Sequence, residues 1–141
     1  MRPQPLICAT DVEVSSRWYR RLLGLESAHG GPEYERLTKN GQLVLQLHSF
    51  DVEHDHGPIG VRGDTPYGNG VLLWFEVDDF DDALRRAAEM DVEVVLPRHR
   101  NPPDGIGGPN HWEIWIRDPD GYVVVLASAD GTADGDWRPE L

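Results

Sequence analysis

A repeated order of strand, helix and three strands is the feature that most constrains how this 141-residue chain can fold. The helical pattern that begins near Asp11 aligns with the one that begins near Asp79, an offset of 79 - 11 = 68 residues. Each half carries one helix and about four strands, so neither half could bury its sheet alone. The repeat therefore predicts an α+β protein in which two βαβββ modules form an eight-stranded curved sheet around a central cavity, with the helices outside.

Hydrophobic periodicity places the elements within each half. Apolar residues at helical spacing predict helices over residues 11–24 and 80–90. Thr10 or Asp11 can cap the first helix, and Asp78 or Asp79 can cap the second. Alternating or continuous apolar runs predict strands over residues 5–10, 34–38, 42–50, 71–77, 92–96, 111–117 and 122–127.

Turn residues indicate how these strands are joined. Asn40 and Gly41 form a strong hairpin signal, because both tolerate the positive φ angles of a two-residue turn. Residues 118–121, Asp-Pro-Asp-Gly, predict a tight turn between the last two strands. Residues 51–70 and 98–110 are rich in Gly and Pro and are predicted to be loops, the second long enough to act as a lid.

Composition narrows the classes of function. The single cysteine, Cys8, excludes an intrachain disulfide and favours a reducing cytoplasm. No apolar run approaches the roughly 20 residues that span a bilayer, and the N-terminus lacks the apolar core of a signal peptide. A net charge of -12 repels nucleic acid and anionic lipid. It attracts cationic small molecules or basic partners, or it simply keeps the protein in solution. We therefore expect a cytoplasmic protein with neither a nucleic-acid nor a membrane partner.

Two motifs and their spacing resemble the vicinal oxygen chelate superfamily, which includes glyoxalase I, extradiol dioxygenases, fosfomycin-resistance enzymes and bleomycin-resistance proteins. The family's closing D-P-[DE]-G-[NY] turn is matched by residues 118–122. The resemblance covers nearly residues 4–127 and implies paired βαβββ modules. The family's D-x-E-x-S-x-x-[WF]-Y-x-x-x-L-G-L run is matched by Asp11, Glu13, Ser15, Trp18, Tyr19, Leu23, Gly24 and Leu25.

The resemblance also implies where a catalytic metal would bind. Metalloenzymes of the family place ligands at four equivalent strand positions, which correspond here to Gln4, Gln46, Leu72 and Val125. Leu72 and Val125 offer no lone pair, and a Gln amide is a weak, neutral ligand. We therefore expect no metal at these positions and no cofactor. Without the ion, the family's Lewis-acid chemistry would also be absent.

A displaced metal site is the alternative. His48, His111 and Glu113 offer the two imidazoles and one carboxylate of a facial-triad site, provided that their strands come together. The same side chains could instead be polar groups that line a cavity. His54 and His56 form a more exposed pair, which could chelate a metal or simply be solvated surface.

Strand parity predicts the face that lines the cavity. Trp74 and Trp115 could stack on a planar ligand or hold a cation, and Glu76 and Glu113 add negative charge. A histidine and two glutamates would be costly in a closed, dry core, so we favour a ligand pocket over a plugged concavity. The predicted face comprises Gln4, Leu6, Cys8, Gln46, His48, Leu72, Trp74, Glu76, His111, Glu113, Trp115, Val123 and Val125.

These features favour a metal-free protein that binds a planar or cationic small molecule and resembles the drug-sequestering bleomycin-resistance proteins. The alternative is a glyoxalase- or dioxygenase-like lyase or isomerase. It would use a displaced metal, or Glu113 or Glu76 as a general base together with His111. An accessory module with a vestigial cavity is a third interpretation. The predicted ligand contacts are Gln46, His48, Trp74, Glu76, His111, Glu113 and Trp115.

The domain organisation follows from the same pattern. We expect a single domain with one module over residues 4–50 and a second over residues 71–127, joined by a linker of residues 51–70. Residues 128–141 form a polar tail that we expect to fray, although Trp137 could anchor it. Proteins that resemble this one commonly dimerise, so a homodimer is expected.

Overall fold

The βαβββ arrangement recurs in the two halves of the chain. The computed structural model describes residues 1–134. They divide into a first unit, Met1–Tyr67, and a second unit that begins at Gly68. We refer to these units as module one and module two. The predicted α+β class and the two βαβββ modules are confirmed, and each module forms a four-stranded mixed sheet.

Module one consists of β1 (Leu6–Ala9), α1 (Val12–Leu23), β2 (Glu26–Ser27), β3 (Tyr34–Lys39) and β4 (Gln42–Ser49). Its sheet has the order β1-β4-β3-β2, with β1 parallel to β4 and the other pairs antiparallel. The core lies between helix and sheet. It is formed by fully buried side chains of both, Tyr19, Leu22, Leu37, Leu45 and Leu47.

Module two repeats this topology with β5 (Leu72–Glu76), α2 (Phe80–Glu89), β6 (Val94–Asn101), β7 (His111–Arg117) and β8 (Val123–Ala127). Its order is β5-β8-β7-β6, and β5 is parallel to β8. Strand β8 is central, as its apolar sequence on both faces predicted. Val124, Val125 and Leu126 on this strand are fully buried.

Both helices begin at the aspartates that mark the repeat. The Asp11 carboxylate accepts a hydrogen bond from the Val14 amide at 3.0 Å, and the Asp79 carboxylate accepts one from the Asp82 amide at 3.0 Å. These N-caps satisfy amides that have no partner within the helix. Gly24 ends α1 in the left-handed conformation, with φ of 66°.

The predicted turns are present. Asn40 and Gly41 have φ angles of 51° and 77°, as a two-residue hairpin turn with two positive φ angles requires. In the turn between β7 and β8, the Asp118 carboxylate accepts hydrogen bonds from the amides of Asp120 at 2.9 Å and Tyr122 at 3.0 Å. The first aspartate of this turn therefore holds its backbone closed.

Strand β6 is longer than predicted. We expected a strand over residues 92–96 and a loop from residue 98, but the strand extends to Asn101. The pairing with β7 shifts register on either side of Leu96, next to Pro97, which cannot donate a ladder hydrogen bond. Beyond the shift, His99 pairs with Glu113, so the polar end of β6 is held by a polar partner. The proline and the polar side chains concealed this extension in the sequence.

A buried carboxylate joins the helix, a loop and the sheet of module one. Glu35 on β3 accepts hydrogen bonds from the hydroxyls of Ser16 at 2.9 Å and Ser27 at 2.7 Å, and from the Gly30 amide at 2.9 Å. Burial on its own would raise the pKa of Glu35, but these hydrogen bonds outweigh it and lower the pKa below its usual value. No motif or periodic pattern in the sequence marks Glu35.

The segments outside the two sheets are partly anchored. In the loop after β4, Arg62 forms an ion pair with Asp51 at 2.7 Å and donates a hydrogen bond to the carbonyl of Thr10 at 2.8 Å. After β8, Ala133 is buried and its amide donates to the carbonyl of Asn110 at 2.9 Å, so this part of the tail is not frayed as expected. The predicted anchor Trp137 lies outside the described residues. Neither helix found in residues 1–134 is long and apolar enough to cross a bilayer.

Candidate functional site

The strand register of module two brings the predicted residues of this half onto one face of its sheet. Residues opposite each other on neighbouring strands share a face. Trp74 on β5 lies opposite Val125 on β8, which lies opposite Trp115 on β7. One step along, Glu76, Ala127, Glu113 and His99 form the next row. The expected grouping of Trp74, Glu76, Glu113 and Trp115 is therefore present within this module.

Glu113 is the centre of a hydrogen-bonded cluster on this face. Its side chain is only 3% exposed. One oxygen accepts hydrogen bonds from His99 Nε2 at 2.8 Å and Trp115 Nε1 at 3.0 Å. The other accepts them from His111 Nε2 at 2.7 Å and Asn101 Nδ2 at 3.2 Å. Four donors thus surround one buried carboxylate.

These contacts hold Glu113 in its ionised form. Burial alone would raise the pKa of Glu113, because a carboxylate loses its hydration. The hydrogen bonds from His111, Asn101, Trp115 and His99 outweigh that effect and lower the pKa below its usual value. Such a carboxylate is a strong hydrogen-bond acceptor but a poor proton acceptor at neutral pH.

The two histidines of the cluster face oxygen atoms with both ring nitrogens. His99 Nδ1 lies 2.8 Å from the carbonyl of Pro97, and His111 Nδ1 lies 3.2 Å from the carboxylate of Asp130. Each of these histidines therefore lies between Glu113 and a second oxygen atom, and links the carboxylate to a neighbouring segment.

Beside this cluster lies a partly open aromatic surface. Trp74 is 44% exposed, and its ring meets that of His111 edge to face with a centroid separation of 5.7 Å. Trp115 is partly buried, and Glu76 is exposed. The face therefore combines an accessible indole, an exposed carboxylate and the hydrogen-bonded cluster around Glu113. We call the set Trp74, Glu76, His111, Glu113 and Trp115 the indole face.

The register shows the surroundings of two of the four positions at which the resemblance implies metal ligands. Gln46 lies opposite Leu6 and Val125 lies opposite Trp74, with 74 - 6 = 68, so the register agrees with the repeat. Both ends of the Gln46 amide are already bonded, because its oxygen accepts from the Tyr34 hydroxyl and its nitrogen donates to the Gln4 carbonyl. Leu72 and Val125 are hydrocarbon side chains, so these four positions do not fit a metal ion.

The displaced set of His48, His111 and Glu113 divides between the modules. His48 belongs to module one, while His111 and Glu113 belong to module two, so neither module alone brings the three together. Within residues 1–134, no group of three or more His, Cys, Asp or Glu side chains is already arranged to hold a metal ion.

The predicted face of module one is also consistent with the register. Leu6 pairs with Gln46 and Cys8 with His48, so the residues expected on this face do share it. His48 is buried rather than exposed to a ligand, with an exposed fraction of 4%. Tyr34, on the neighbouring strand β3, lies opposite His48 and was not anticipated.

Sequence reasoning also missed three members of the Glu113 cluster, His99, Asn101 and Asp130. The first two were assigned to a loop because the strand was expected to end at residue 96. Their period-two spacing, His-x-Asn, repeats that of His111 and Glu113 and could have indicated a strand. Asp130 lies in a segment whose sequence carries no periodic pattern.

A separate cavity of about 470 Å³ lies at the start of α2. The Arg98 guanidinium lies there between two aromatic rings, 5.4 Å from the centre of Phe80 and 4.7 Å from that of Trp112. Of the predicted site residues, only Glu76 borders this cavity. The cavity and the indole face are therefore largely different surfaces of module two.

Comparison with known proteins agrees with the architecture. Residues 3–126 match the model of the glyoxalase/bleomycin resistance protein/dioxygenase superfamily. No curated protein matches the chain.

Several solved structures are similar in fold. A protein of unknown function from Agrobacterium tumefaciens str. C58 is 23% identical, with a TM-score of 0.69 and coverage of 92% of this chain and 94% of that chain. A lactoylglutathione lyase from Agrobacterium tumefaciens is 20% identical, with a TM-score of 0.65 and coverage of 96% of this chain and 97% of that chain. A glyoxalase/bleomycin resistance protein/dioxygenase from Alicyclobacillus acidocaldarius is 18% identical, with a TM-score of 0.61 and coverage of 92% and 95%. At these identities the similarity concerns the fold alone.

Proposed function

The chain belongs to the glyoxalase/bleomycin resistance protein/dioxygenase superfamily, and from this premise we propose that it is a small-molecule-binding protein. It resembles the bleomycin-resistance proteins, which sequester a drug rather than transform it. Binding uses no metal at the four family positions, because Gln4, Gln46, Leu72 and Val125 supply no adequate ligand set. The proposed ligand is planar or cationic.

The observation that carries this proposal is the half-exposed Trp74 beside a carboxylate that is already satisfied. An indole that is 44% exposed offers a flat apolar surface to a ligand. The same ring attracts a cation to its face, by about 0.5–2 kcal/mol depending on how dry the contact is. The exposed Glu76 on the same strand adds a negative charge.

The geometry of Glu113 argues against its use as a general base. A general base needs a free lone pair that points at the substrate proton and a pKa near the working pH. Both Glu113 oxygens are occupied by donors, and its pKa is lowered rather than raised. The cluster therefore serves to position His111 and Trp115 as a rigid wall.

A titration of intrinsic tryptophan fluorescence tests the proposal. The full chain is titrated with planar aromatic cations and with their neutral analogues of the same shape. We expect saturable binding of one equivalent, and a loss of at least about tenfold in affinity in the Trp74→Ala variant. Trp18 of α1, also partly exposed but in module one, provides the matched control through Trp18→Ala.

Two outcomes would refute the proposal. One is that no compound of either series binds, or that Trp18→Ala weakens binding as much as Trp74→Ala does. The other is chemical conversion of the compound by a substoichiometric amount of the protein, as monitored by mass spectrometry. Conversion would establish catalysis in place of sequestration.

A further inference from the structure

Three histidines of module one are grouped where β4 leads into the following loop. His48 lies on β4, and His54 and His56 lie in the loop. The ring centroid of His48 lies 5.4 Å from that of His54 and 5.1 Å from that of His56. The centroids of His54 and His56 are 5.9 Å apart. The exposed pair, predicted from the sequence to be either a metal chelator or solvated surface, thus packs against a buried third imidazole.

His48 presents a lone pair without a partner. Its Nδ1 lies 2.7 Å from the carbonyl of Ser49, which can only accept, so the hydrogen of the neutral ring is on Nδ1. The lone pair is then on Nε2. That atom is buried and has no hydrogen-bond partner in the part of the chain that the structure describes. A buried acceptor in this state is unfavourable, so its presence calls for a partner of another kind.

His56 is oriented in the same way. Its Nδ1 lies 2.6 Å from the carbonyl of Gly57, which again places the hydrogen of the neutral ring on Nδ1. A metal-binding histidine typically makes this contact, because a carbonyl that holds one ring nitrogen presents the other to the ion. In two of the three rings, His48 and His56, Nδ1 is therefore held by a backbone carbonyl and Nε2 is left for a metal ion.

The backbone of the loop brings His54 to the same group. His54 has a φ angle of 49°, in the left-handed region that non-glycine residues rarely adopt. Such a conformation is commonly retained where it serves a local function. Here it accompanies the approach of the His54 ring to His48.

We propose that His48, His54 and His56 form a binding site for a divalent transition-metal ion of the zinc, nickel or copper class. Imidazole nitrogens suit these ions and bind Zn²⁺ at about 2.0–2.1 Å. Three rings around one such ion would have centroids on the order of 5 Å apart, which is close to the observed spacing. The loop residues Glu53 and Asp55 add negative charge nearby in sequence.

Binding requires a rearrangement of side chains. As they stand, these side chains do not form a metal site, since no group of three or more His, Cys, Asp or Glu side chains within residues 1–134 could hold a metal ion. His54 and His56 are exposed, so rotation about their side-chain bonds needs no change in the core. This site uses other residues than the four family positions and the indole face, and it would revise the expectation that the chain holds no metal.

Calorimetric titration with Zn²⁺ tests the site on the full chain, prepared without a His-tag and treated with a chelator. We expect one equivalent to bind, and the His54→Ala and His56→Ala variants each to lose at least about tenfold in affinity. Co²⁺ provides a second readout, since its visible absorption reports the geometry of the ligands.

His29 provides the matched control. It is another exposed histidine of module one, with its Nδ1 2.7 Å from the carbonyl of Gly30, but it is not one of the three. His29→Ala should therefore leave Zn²⁺ affinity unchanged. The proposal is overturned if the wild-type chain binds no ion, or if His54→Ala and His56→Ala bind like the wild type. It is also overturned if several weak equivalents bind and His29→Ala reduces them equally, since that is adventitious binding only.

Discussion

His111 Nε2 lies 2.7 Å from Oε2 of Glu113, and both side chains are almost completely buried. The second ring nitrogen of His111 lies 3.2 Å from Asp130, so this imidazole connects β7 with the segment that follows β8. The same carboxylate holds His99 of β6. One charged cluster therefore ties together strand β7, the neighbouring strand and the start of the tail.

Replacement of Glu113 tests how much this cluster contributes to stability. Glu113→Gln retains the shape but supplies one acceptor oxygen to four donors, so buried donors lose their partner. We expect the free energy of unfolding to fall by about 1–3 kcal/mol, measured by urea denaturation. Glu76→Gln removes an exposed carboxylate from the same face, and it should change the free energy of unfolding by less than about 0.5 kcal/mol. Equal effects of the two substitutions would contradict the structural role of Glu113.

Stability should decline in acid because of two buried glutamates. The pKa values of Glu35 and Glu113 are lowered in the folded state, so folding favours their ionised forms. That contribution is fully present above the unfolded-state pKa of about 4.3 and is lost as the pH falls through the lower folded-state values. Urea denaturation between about pH 7 and about pH 3 should show unfolding free energy falling below about pH 5.

The double variant Glu35→Gln with Glu113→Gln separates these two groups from the other carboxylates. Since neither replacement titrates, the loss of stability in acid should be smaller than in the wild-type chain. An unchanged pH dependence would show that other groups account for it.

Glu35 should matter more than its exposed neighbour Glu33. Glu35→Gln leaves Ser16, Ser27 and the Gly30 amide competing for one acceptor. We expect a loss of about 1–3 kcal/mol in the free energy of unfolding. Glu33→Gln, at an exposed position two residues earlier, should have almost no effect. Comparable denaturation midpoints for the two variants would be inconsistent with the Glu35 contacts.

The aspartates that mark the repeat should make similar contributions in their two modules. Asp11→Ala and Asp79→Ala each remove an N-cap, and each should lower the free energy of unfolding by about 0.5–2 kcal/mol. Asp78→Ala serves as the control, because Asp78 precedes the cap without supplying it. A larger effect of Asp78→Ala than of Asp79→Ala, measured by thermal unfolding, would contradict the assigned cap.

Much of the fold could be predicted because local signals and the repeat agree. Asp11, Gly24 and the Asn40-Gly41 pair each determine a helix end or a turn through their own backbone preferences. The 68-residue offset then supplied the topology that local signals lack. The grouping of Trp74 with Trp115 followed from the period of a strand and was confirmed by the register.

The remaining features depend on contacts between residues that are far apart in sequence. His99 joins Glu113 only because a register shift beside Pro97 carries β6 past its expected end. Glu35 is stabilised by hydroxyls and amides from three separate segments, which no local pattern reports. The approach of His54 and His56 to His48 likewise depends on the path of a loop.

The parallel pairing within each module imposes an order on folding during synthesis. Leu6 meets Gln46 across 46 - 6 = 40 residues, and Leu72 meets Val123 across 123 - 72 = 51 residues. Contacts between residues distant in sequence form slowly, because the ends of a long loop must first be brought together at a cost in entropy. A nascent chain that has emerged only as far as the β3–β4 turn therefore leaves β1 without a neighbour. Each module can close only once its last strand has left the ribosome.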